Sequence, residues 1–147
     1  MNKTTLNLWL ADDDEDDCLF FKEALEELPG DSSLVTVNNG EELMLALATM
    51  PSPDMLFIDL NMPRKNGYEC LCEIKLNENL RSVPIIIYST SFDPEIVKLL
   101  YEKGAHHYIR KPAEFSDLKK VLLEVLSATA VNNPVRPLRE NFVIQVK

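Results

Sequence analysis

The chain has few cysteines and no long apolar stretch. It contains only three cysteines, and Cys70 and Cys72 stand two positions apart, a spacing that points them away from each other on a helix. This pattern suits neither a redox pair nor a zinc knuckle. No apolar run approaches the roughly 20 residues of a membrane span, and the first ten residues lack the pattern of a signal peptide. We therefore expect no membrane association and a reducing cytoplasm.

Basic residues are scarce relative to acidic ones. The 147 residues include 15 Lys and Arg against 24 Asp and Glu, which gives a net charge of -9. Because sequence-independent affinity for nucleic acid comes from cations that neutralise phosphates, we expect no nucleic-acid partner. Divalent cations and basic protein surfaces suit this charge better. Hydrophobic residues make up 46% of the chain, enough for one buried core.

Short apolar segments alternate five times with longer segments of helical period. This alternation is typical of a doubly wound α/β protein, and five units are too few for an eight-fold barrel. We predict an open, five-stranded parallel sheet of order 2-1-3-4-5 with helices on both faces. Its ligand site would lie between the first and third strands. We assign residues 1–129 to this domain and residues 130–147 to a C-terminal extension.

The extension exceeds what the predicted fold needs. Pro134 and Pro137 break any continuing helix, and residues 141–146 have the composition of a strand. Disorder, docking on the same domain and docking on a second copy all stay open at this point. The last of these would make the protein a homodimer, and deletion after Thr129 would then weaken self-association.

Polar side chains follow four of the predicted strands. Asp12 and Asp13 follow the first strand, Asp59 the third, Ser89 the fourth and Lys111 the fifth. Because parallel strands end at one edge of a sheet, we expect these groups to share a pocket. Clustered carboxylates need a cation, and Mg²⁺ takes carboxylate and phosphate oxygens. We predict that Asp59 accepts a phosphoryl group, with Mg²⁺ and Lys111 balancing charge and Ser89 donating a hydrogen bond.

These residues belong to a longer ordered pattern. In sequence order it comprises Asp12-Asp13, the segment 59–67 with its Met-Pro and final Gly, Ser89, Tyr108, and Lys111-Pro112. In this order and spacing the chain resembles the response-regulator receiver domain of two-component signalling, over about residues 6–129. The resemblance implies a flavodoxin-like receiver fold.

The resemblance also implies a metal site and its ligands. It assigns Mg²⁺ to Asp13, Asp59 and the backbone carbonyl of Asn61, with Asp12 acting mostly through water. It implies that Ser89 and Tyr108 are switch residues whose movement shifts the fourth and fifth helices.

Further expectations follow from the same resemblance. The phosphoryl donor would be a sensor histidine kinase or a histidine phosphotransfer protein, and the output would pass through protein contacts. The peptide between Lys111 and Pro112 would be cis, and Asn61 and Ser91 would adjust the lifetime of the phosphoryl group. Thr90 stands where a smaller residue is frequent, so we expect it to narrow access to the site.

Two other motifs in the sequence do not indicate metal sites. Asp12, Asp14, Asp16 and Glu23 fall at calcium-loop positions, but Asp17 stands where the loop needs glycine. Residues 15–17 are predicted to form a solvated helix start, favoured by the helix dipole. The adjacent histidines at 106 and 107 would point to opposite faces of a strand, so we predict structural roles for both.

Two other functions remain as alternatives. One is a receiver-shaped scaffold or dimerisation module that works without phosphorylation, which would be expected to carry a damaged site. The other is a phosphatase with an aspartyl-phosphate intermediate, but its Asp-x-Asp-x-Thr motif is incomplete because no threonine follows Asp12 and Asp14. The preferred interpretation is a phospho-acceptor protein that is not a metabolic enzyme.

Overall fold

The computed structural model describes residues 5–129 and 136–145. The strands are β1 Leu6–Ala11, β2 Ser32–Val37, β3 Met55–Ile58, β4 Ile85–Ser89, β5 His107–Arg110 and β6 Val143–Ile144. The helices are α1 Glu15–Glu26, α2 Gly40–Thr49, α3 Gly67–Leu76, α4 Pro94–Glu102 and α5 Phe115–Thr129, with a short 3₁₀ turn at Arg139–Asn141.

All described strands pair in parallel, in the order β2-β1-β3-β4-β5-β6. The predicted α/β architecture and the order of the first five strands are confirmed. The predicted count of five strands is wrong, since β6 from the extension pairs with β5. Its register places Val143 opposite Tyr108, whose N–H donates to Phe142 O at 3.1 Å. Backbone groups of β5 that an edge strand would leave open are thereby satisfied.

Each of the first four helices begins at a side chain that accepts a backbone N–H. Asp14, Asn39, Asn66 and Asp93 are these N-cap residues, and Asn66 forms a reciprocal capping box with Glu69. Such caps satisfy N–H groups that have no partner inside the helix. Because each cap lies in the loop that follows a strand, the helix starts gather at the same edge of the sheet as the predicted site.

The sheet separates two apolar layers. Helices α2, α3 and α4 cover one face, and α1 and α5 cover the other. Helix α5 buries an apolar stripe of helical period, formed by Leu118, Val121, Leu122 and Val125. The central strands β3 and β4 are buried throughout, as expected for a parallel sheet covered on both sides. No helix in the described ranges is long and apolar enough to cross a membrane.

The described part of the extension, residues 136–145, lies against α4 and β5. Phe142 is fully buried in the same apolar layer as α4, and its ring meets that of Tyr101 edge-on at 5.2 Å. Its carbonyl also lies 3.2 Å from Nδ1 of His107. His106 accepts the Ile85 N–H at 3.4 Å through its own Nδ1.

Candidate functional site

Asp12 and Asp59 are placed side by side by the pairing of their strands. The last residues of β1 and β3, Ala11 and Ile58, are register partners, and the Asp59 N–H donates to Ala11 O at 2.9 Å. The next residue on each strand is therefore an aspartate at the same edge. Asp12 is fully buried and Asp59 is 6% exposed. The strand pairing brings two carboxylates together at a depth where ionised groups need partners.

Asp13 completes a cluster of oxygen ligands. One carboxylate oxygen from each of Asp12, Asp13 and Asp59 lies within 4.8 Å of the others. Hard divalent cations prefer such oxygen donors, and Mg²⁺ commonly takes one or two carboxylates together with water and phosphate oxygens. The donor set fits a divalent cation. The predicted ligand Asn61 lies beside the cluster, where its N–H donates to Asp59 Oδ1 at 3.3 Å.

The pKa of Asp59 is raised to about 6, because burial and the neighbouring Asp12 raise it by more than Lys111 and the Asn61 N–H lower it. The physical cause is that desolvation penalises the ionised carboxylate. A cation bound at the cluster would reverse this balance, since it stabilises the ionised form. A cation in the pocket would therefore be stabilised by its attraction to the ionised carboxylates.

Lys111 reaches the cluster from the end of β5. Its Nζ lies 2.8 Å from Asp12 Oδ2, 2.7 Å from Asp17 Oδ2 and 3.5 Å from Asp59 Oδ2. Its side chain is 7% exposed and the ammonium lies 5.0 Å from the centre of the Tyr88 ring. Burial by itself would lower the pKa of Lys111, but the hydrogen bonds to Asp12 and Asp17 outweigh it and raise the pKa.

The expected cis peptide between Lys111 and Pro112 is wrong, because that peptide is trans. The Lys111 N–H donates to Ser89 O at 2.8 Å and continues the β4–β5 ladder past the strand ends. From this backbone position the ammonium already reaches the carboxylates of Asp12, Asp17 and Asp59. A trans bond is also favoured for X–Pro by about 0.5 to 1 kcal/mol.

Asp17 is a site residue that the sequence analysis missed. It was assigned to a solvated helix start, yet its carboxylate pairs with the buried ammonium of Lys111. The signal that could have revealed it is its place in the first turn of α1, directly after the loop that follows β1. A side chain there projects over the same sheet edge as Asp12.

Glycine at position 67 lets the chain return close to the acceptor. A Cβ at Gly67 would lie 2.5 Å from the backbone oxygen of Asp59, so a larger residue would displace the loop. The Gly67 N–H also donates to Leu60 O at 3.0 Å. This close approach joins the loop after β3 to the start of α3 beside the acid cluster.

Ser89 and Tyr108 are linked through the loop after β4. Ser89 is fully buried, and its Oγ lies 3.0 Å from Ser91 Oγ and accepts the Ser91 N–H. The Tyr108 hydroxyl donates to Ser91 O. The Tyr108 ring is buried and meets Phe92 edge-on at 5.9 Å. The two predicted switch residues thus share Ser91 as a neighbour.

Comparison with known proteins gives a consistent result. Residues 8–123 match the model of the response regulator receiver domain. Response regulator Rcp1 of Synechocystis sp. is 30% identical over 119 residues, covering 77% of this chain and 81% of that protein.

Two similar solved structures extend this match. The phosphorylated cyanobacterial phytochrome response regulator RcpA has a TM-score of 0.81 and 28% identity, covering 92% of this chain and 100% of that one. The Mn²⁺-bound form of Rcp1 has a TM-score of 0.76 and 27% identity, covering 90% and 99% respectively.

Proposed function

The chain belongs to the response-regulator receiver family of two-component signalling proteins, and we propose that it accepts a phosphoryl group on Asp59 from a histidine donor with Mg²⁺. The observation that carries this proposal is the convergence of three carboxylates and one ammonium at the ends of β1, β3 and β5. Phosphoryl transfer depends mainly on such positioning and charge balance. Signalling would follow through protein contacts.

The transfer step uses the carboxylate of Asp59 as nucleophile. One Oδ forms a bond to phosphorus while the phosphorus–nitrogen bond of a phosphohistidine breaks, and the imidazole leaves with the bonding pair. The product is an acyl phosphate on Asp59. When bound, Mg²⁺ would neutralise charge on the carboxylates and on the phosphoryl oxygens.

The surrounding residues have separate proposed roles. Asp13, Asp59 and the Asn61 backbone carbonyl would hold the cation, with Asp12 acting mostly through water. The ammonium of Lys111 would pair with a phosphoryl oxygen as a compact positive charge. Its distance of 3.5 Å to Asp59 Oδ2 supports this role, because that oxygen is at the reacting carboxylate.

Ser89 and Tyr108 would carry the signal away from the site. A hydrogen bond from Ser89 to the phosphoryl group would compete with its present contact to Ser91 Oγ. Since the Tyr108 hydroxyl bonds to the carbonyl of Ser91, a shift of that residue would release or move the tyrosine. The affected surface would lie at β5 and the start of α4.

The acceptor can be tested directly by mass. Incubation with acetyl phosphate and Mg²⁺ should add one phosphoryl group to the chain, and chelation of the metal should prevent the addition. Asp59→Asn should abolish the gain. Asp54→Asn is a matched control because Asp54 lies just before the opposite end of β3 and bonds to the Asn7 N–H. A gain that survives Asp59→Asn would move the acceptor elsewhere.

The donor and the assembly are also open to test. Because RcpA is named as a phytochrome response regulator, a phytochrome-type sensor histidine kinase is the first donor to try, followed by histidine phosphotransfer proteins. Transfer from none of them would remove this part of the proposal. We further propose a receiver domain over residues 1–129 with a docked extension, a cytoplasmic location, and a homodimer that sedimentation of the full chain would detect.

A further inference from the structure

The ammonium of Lys111 has no donor left over in this structure. A lysine ammonium offers three N–H groups. Carboxylate oxygens of Asp12, Asp17 and Asp59 lie 2.8, 2.7 and 3.5 Å from Nζ. For Lys111 to donate to an incoming phosphoryl oxygen, one of these three contacts has to lengthen or break.

Asp17 differs from the other two partners. Asp12 and Asp59 belong to the cluster of potential metal ligands, whereas Asp17 does not. The Asp17 side chain is 35% exposed, while those of Asp12 and Asp59 are 0% and 9% exposed. Release into water is therefore least costly for Asp17, because its carboxylate can be solvated without rearrangement of the sheet edge.

The backbone holds Asp17 close to Lys111 even so. Asp17 is the third residue of α1, and its N–H donates to the N-cap side chain of Asp14 at 3.0 Å. Its charge is also favoured at a helix N-terminus. A cleft of about 410 Å³ lies beside it, lined in part by Asp17, Thr90 and Lys111. An anion that approaches Lys111 through this cleft passes the Asp17 carboxylate.

We propose that Asp17 is a positioning residue that competes with the phosphoryl group for the ammonium of Lys111 and so slows phosphoryl uptake. The proposal rests on the function proposed above for Asp59 and Lys111. Its cause is twofold: Asp17 occupies one donor of Lys111, and its charge repels an anionic donor molecule.

The two causes predict a specific pattern of rates. Asp17→Asn should raise the rate constant for uptake from acetyl phosphate by about 3- to 10-fold at low salt, since one repulsive charge near the entry path is removed. The gain should shrink in high salt because screening weakens the same repulsion. It should be smaller with phosphoramidate, which carries less negative charge at neutral pH. Asp17→Glu should stay slow.

The matched control is Asp16→Asn. It removes the same charge from the adjacent residue of α1, but Asp16 is exposed and has no ion pair with Lys111. Uptake is followed by intact mass in the presence of Mg²⁺. Calorimetric titration with Mg²⁺ alone provides a second measurement. Neither residue is in the metal cluster, and removal of a nearby negative charge weakens the attraction of a cation, so neither variant should bind Mg²⁺ more tightly than the unmodified chain.

Each outcome decides a question. If the unmodified chain accepts phosphoryl but Asp17→Asn reacts no faster than Asp16→Asn, the inference about Asp17 is wrong and the proposed function stands. The inference is also wrong if Asp17→Asn takes up phosphoryl more slowly than the unmodified chain. It is equally wrong if Asp17→Asn reacts faster but binds Mg²⁺ more tightly by the same factor. If no variant gains a phosphoryl group, the proposed function fails and the inference fails with it.

Discussion

Strand β5 carries a charged group just past its carboxyl end and an apolar segment along its edge. Lys111 follows the strand and joins the acidic rim, by which we mean Asp12, Asp13 and Asp59 at the adjacent strand ends. Beside the same strand, β6 and the buried Phe142 come from the extension. Both regions adjoin β5, but charged groups dominate the first and apolar contacts dominate the second.

The acidic rim contains one carboxylate, Asp59, whose ionised form opposes folding. Burial raises the pKa of Asp59 to about 6, which means that its charged form is disfavoured in the folded protein without metal. Among the described residues, the Asn61 N–H and the Lys111 ammonium donate to its carboxylate, at 3.3 and 3.5 Å. Both contacts are longer than the roughly 2.7 to 2.9 Å of a strong charge-assisted hydrogen bond, so they offset the cost of burial only in part.

The extension is held by apolar and well-paired contacts. Phe142 is fully buried, and the Arg136 guanidinium lies 4.1 Å from the centre of the Tyr101 ring. Arg136 also donates to the carbonyls of Tyr101 and Ala105 at the end of α4, and the Tyr101 hydroxyl donates to Pro137 O at 3.0 Å. The acidic rim thus contains a carboxylate whose charge is disfavoured by burial, whereas the described part of the extension is joined to the domain by favourable contacts.

The largest expected effect is on the extension. Phe142→Ala should lower the free energy of unfolding by about 3 to 5 kcal/mol, because it leaves a cavity beside Tyr101 in the apolar layer. Urea denaturation measures this, and Leu138→Ala is the control since Leu138 is 66% exposed. Phosphoryl uptake by the folded fraction should be unchanged. A loss below about 1 kcal/mol would show that the extension contributes little to stability.

Lys111→Met should act mainly on the reaction. We expect phosphoryl uptake from acetyl phosphate to fall by about 100-fold, the scale typical for loss of one charge-stabilising donor. Lys119→Met is a matched control because Lys119 pairs with Glu27 on the surface, away from the rim. Equal rates for the two variants would contradict a role for Lys111 in transfer.

Asp59 in the acidic rim and His106, which directly precedes β5, should respond to pH with opposite sign. The pKa of Asp59 is raised above its unfolded value of 3.8, so in metal-free protein its contribution to stability is lost as pH rises from about 4 to about 6. The pKa of His106 is lowered to about 4, first by burial and then by Lys75 and Arg136. Its contribution is therefore lost as pH falls from 6.5 towards 4. Each contribution is on the order of 2 kcal/mol.

Single variants separate these contributions. Relative to the unmodified chain, Asp59→Asn should become more stable as pH rises through this window, and His106→Gln should become less stable. The measurement is urea denaturation in chelator between pH 4 and 7. If the difference in unfolding free energy between Asp59→Asn and the unmodified chain does not change with pH, the pKa of Asp59 is not raised in the folded protein.

Thr90→Ala should have the smallest effect. Thr90 is exposed and lines the cleft beside Lys111, so a smaller side chain widens the approach for small donors. We expect uptake from acetyl phosphate to rise by about two- to threefold, a change of well under 1 kcal/mol in barrier. Thr90→Ser removes only the methyl group, so its uptake rate should lie between those of the unmodified chain and Thr90→Ala. An unchanged or slower rate would exclude steric restriction by Thr90.

Much of the fold followed from local pattern. The family and the parallel α/β sheet are confirmed. Local pattern also explains the start of α4, where Pro94 stands at the first helical position as its fixed φ favours. The composition of residues 141–146 indicated a strand, but no local pattern could show that this segment pairs with β5. Its position depends on Phe142, whose burial requires a cavity formed by α4 and β5.

The candidate site divides in the same way. Asp12, Asp13, Asp59 and Lys111 were expected together, and their side chains do lie together. The trans peptide before Pro112 and the pairing of Lys111 with Asp17 were not foreseen. The pairing depends on how far the Lys111 side chain extends from the actual end of β5, which no sequence pattern expresses.

By itself the sequence determined the type and order of the elements and the chemistry at each strand end. Periodicity and capping act over a few residues, and parallel strands end at one edge whatever their side chains are. Which carboxylates pair with the ammonium of Lys111, and where the extension lies, depend on the tertiary structure. The physical reason is distance along the chain: Asp17 and Lys111 are 94 positions apart, and only the packed sheet and helices bring their charges within 2.7 Å.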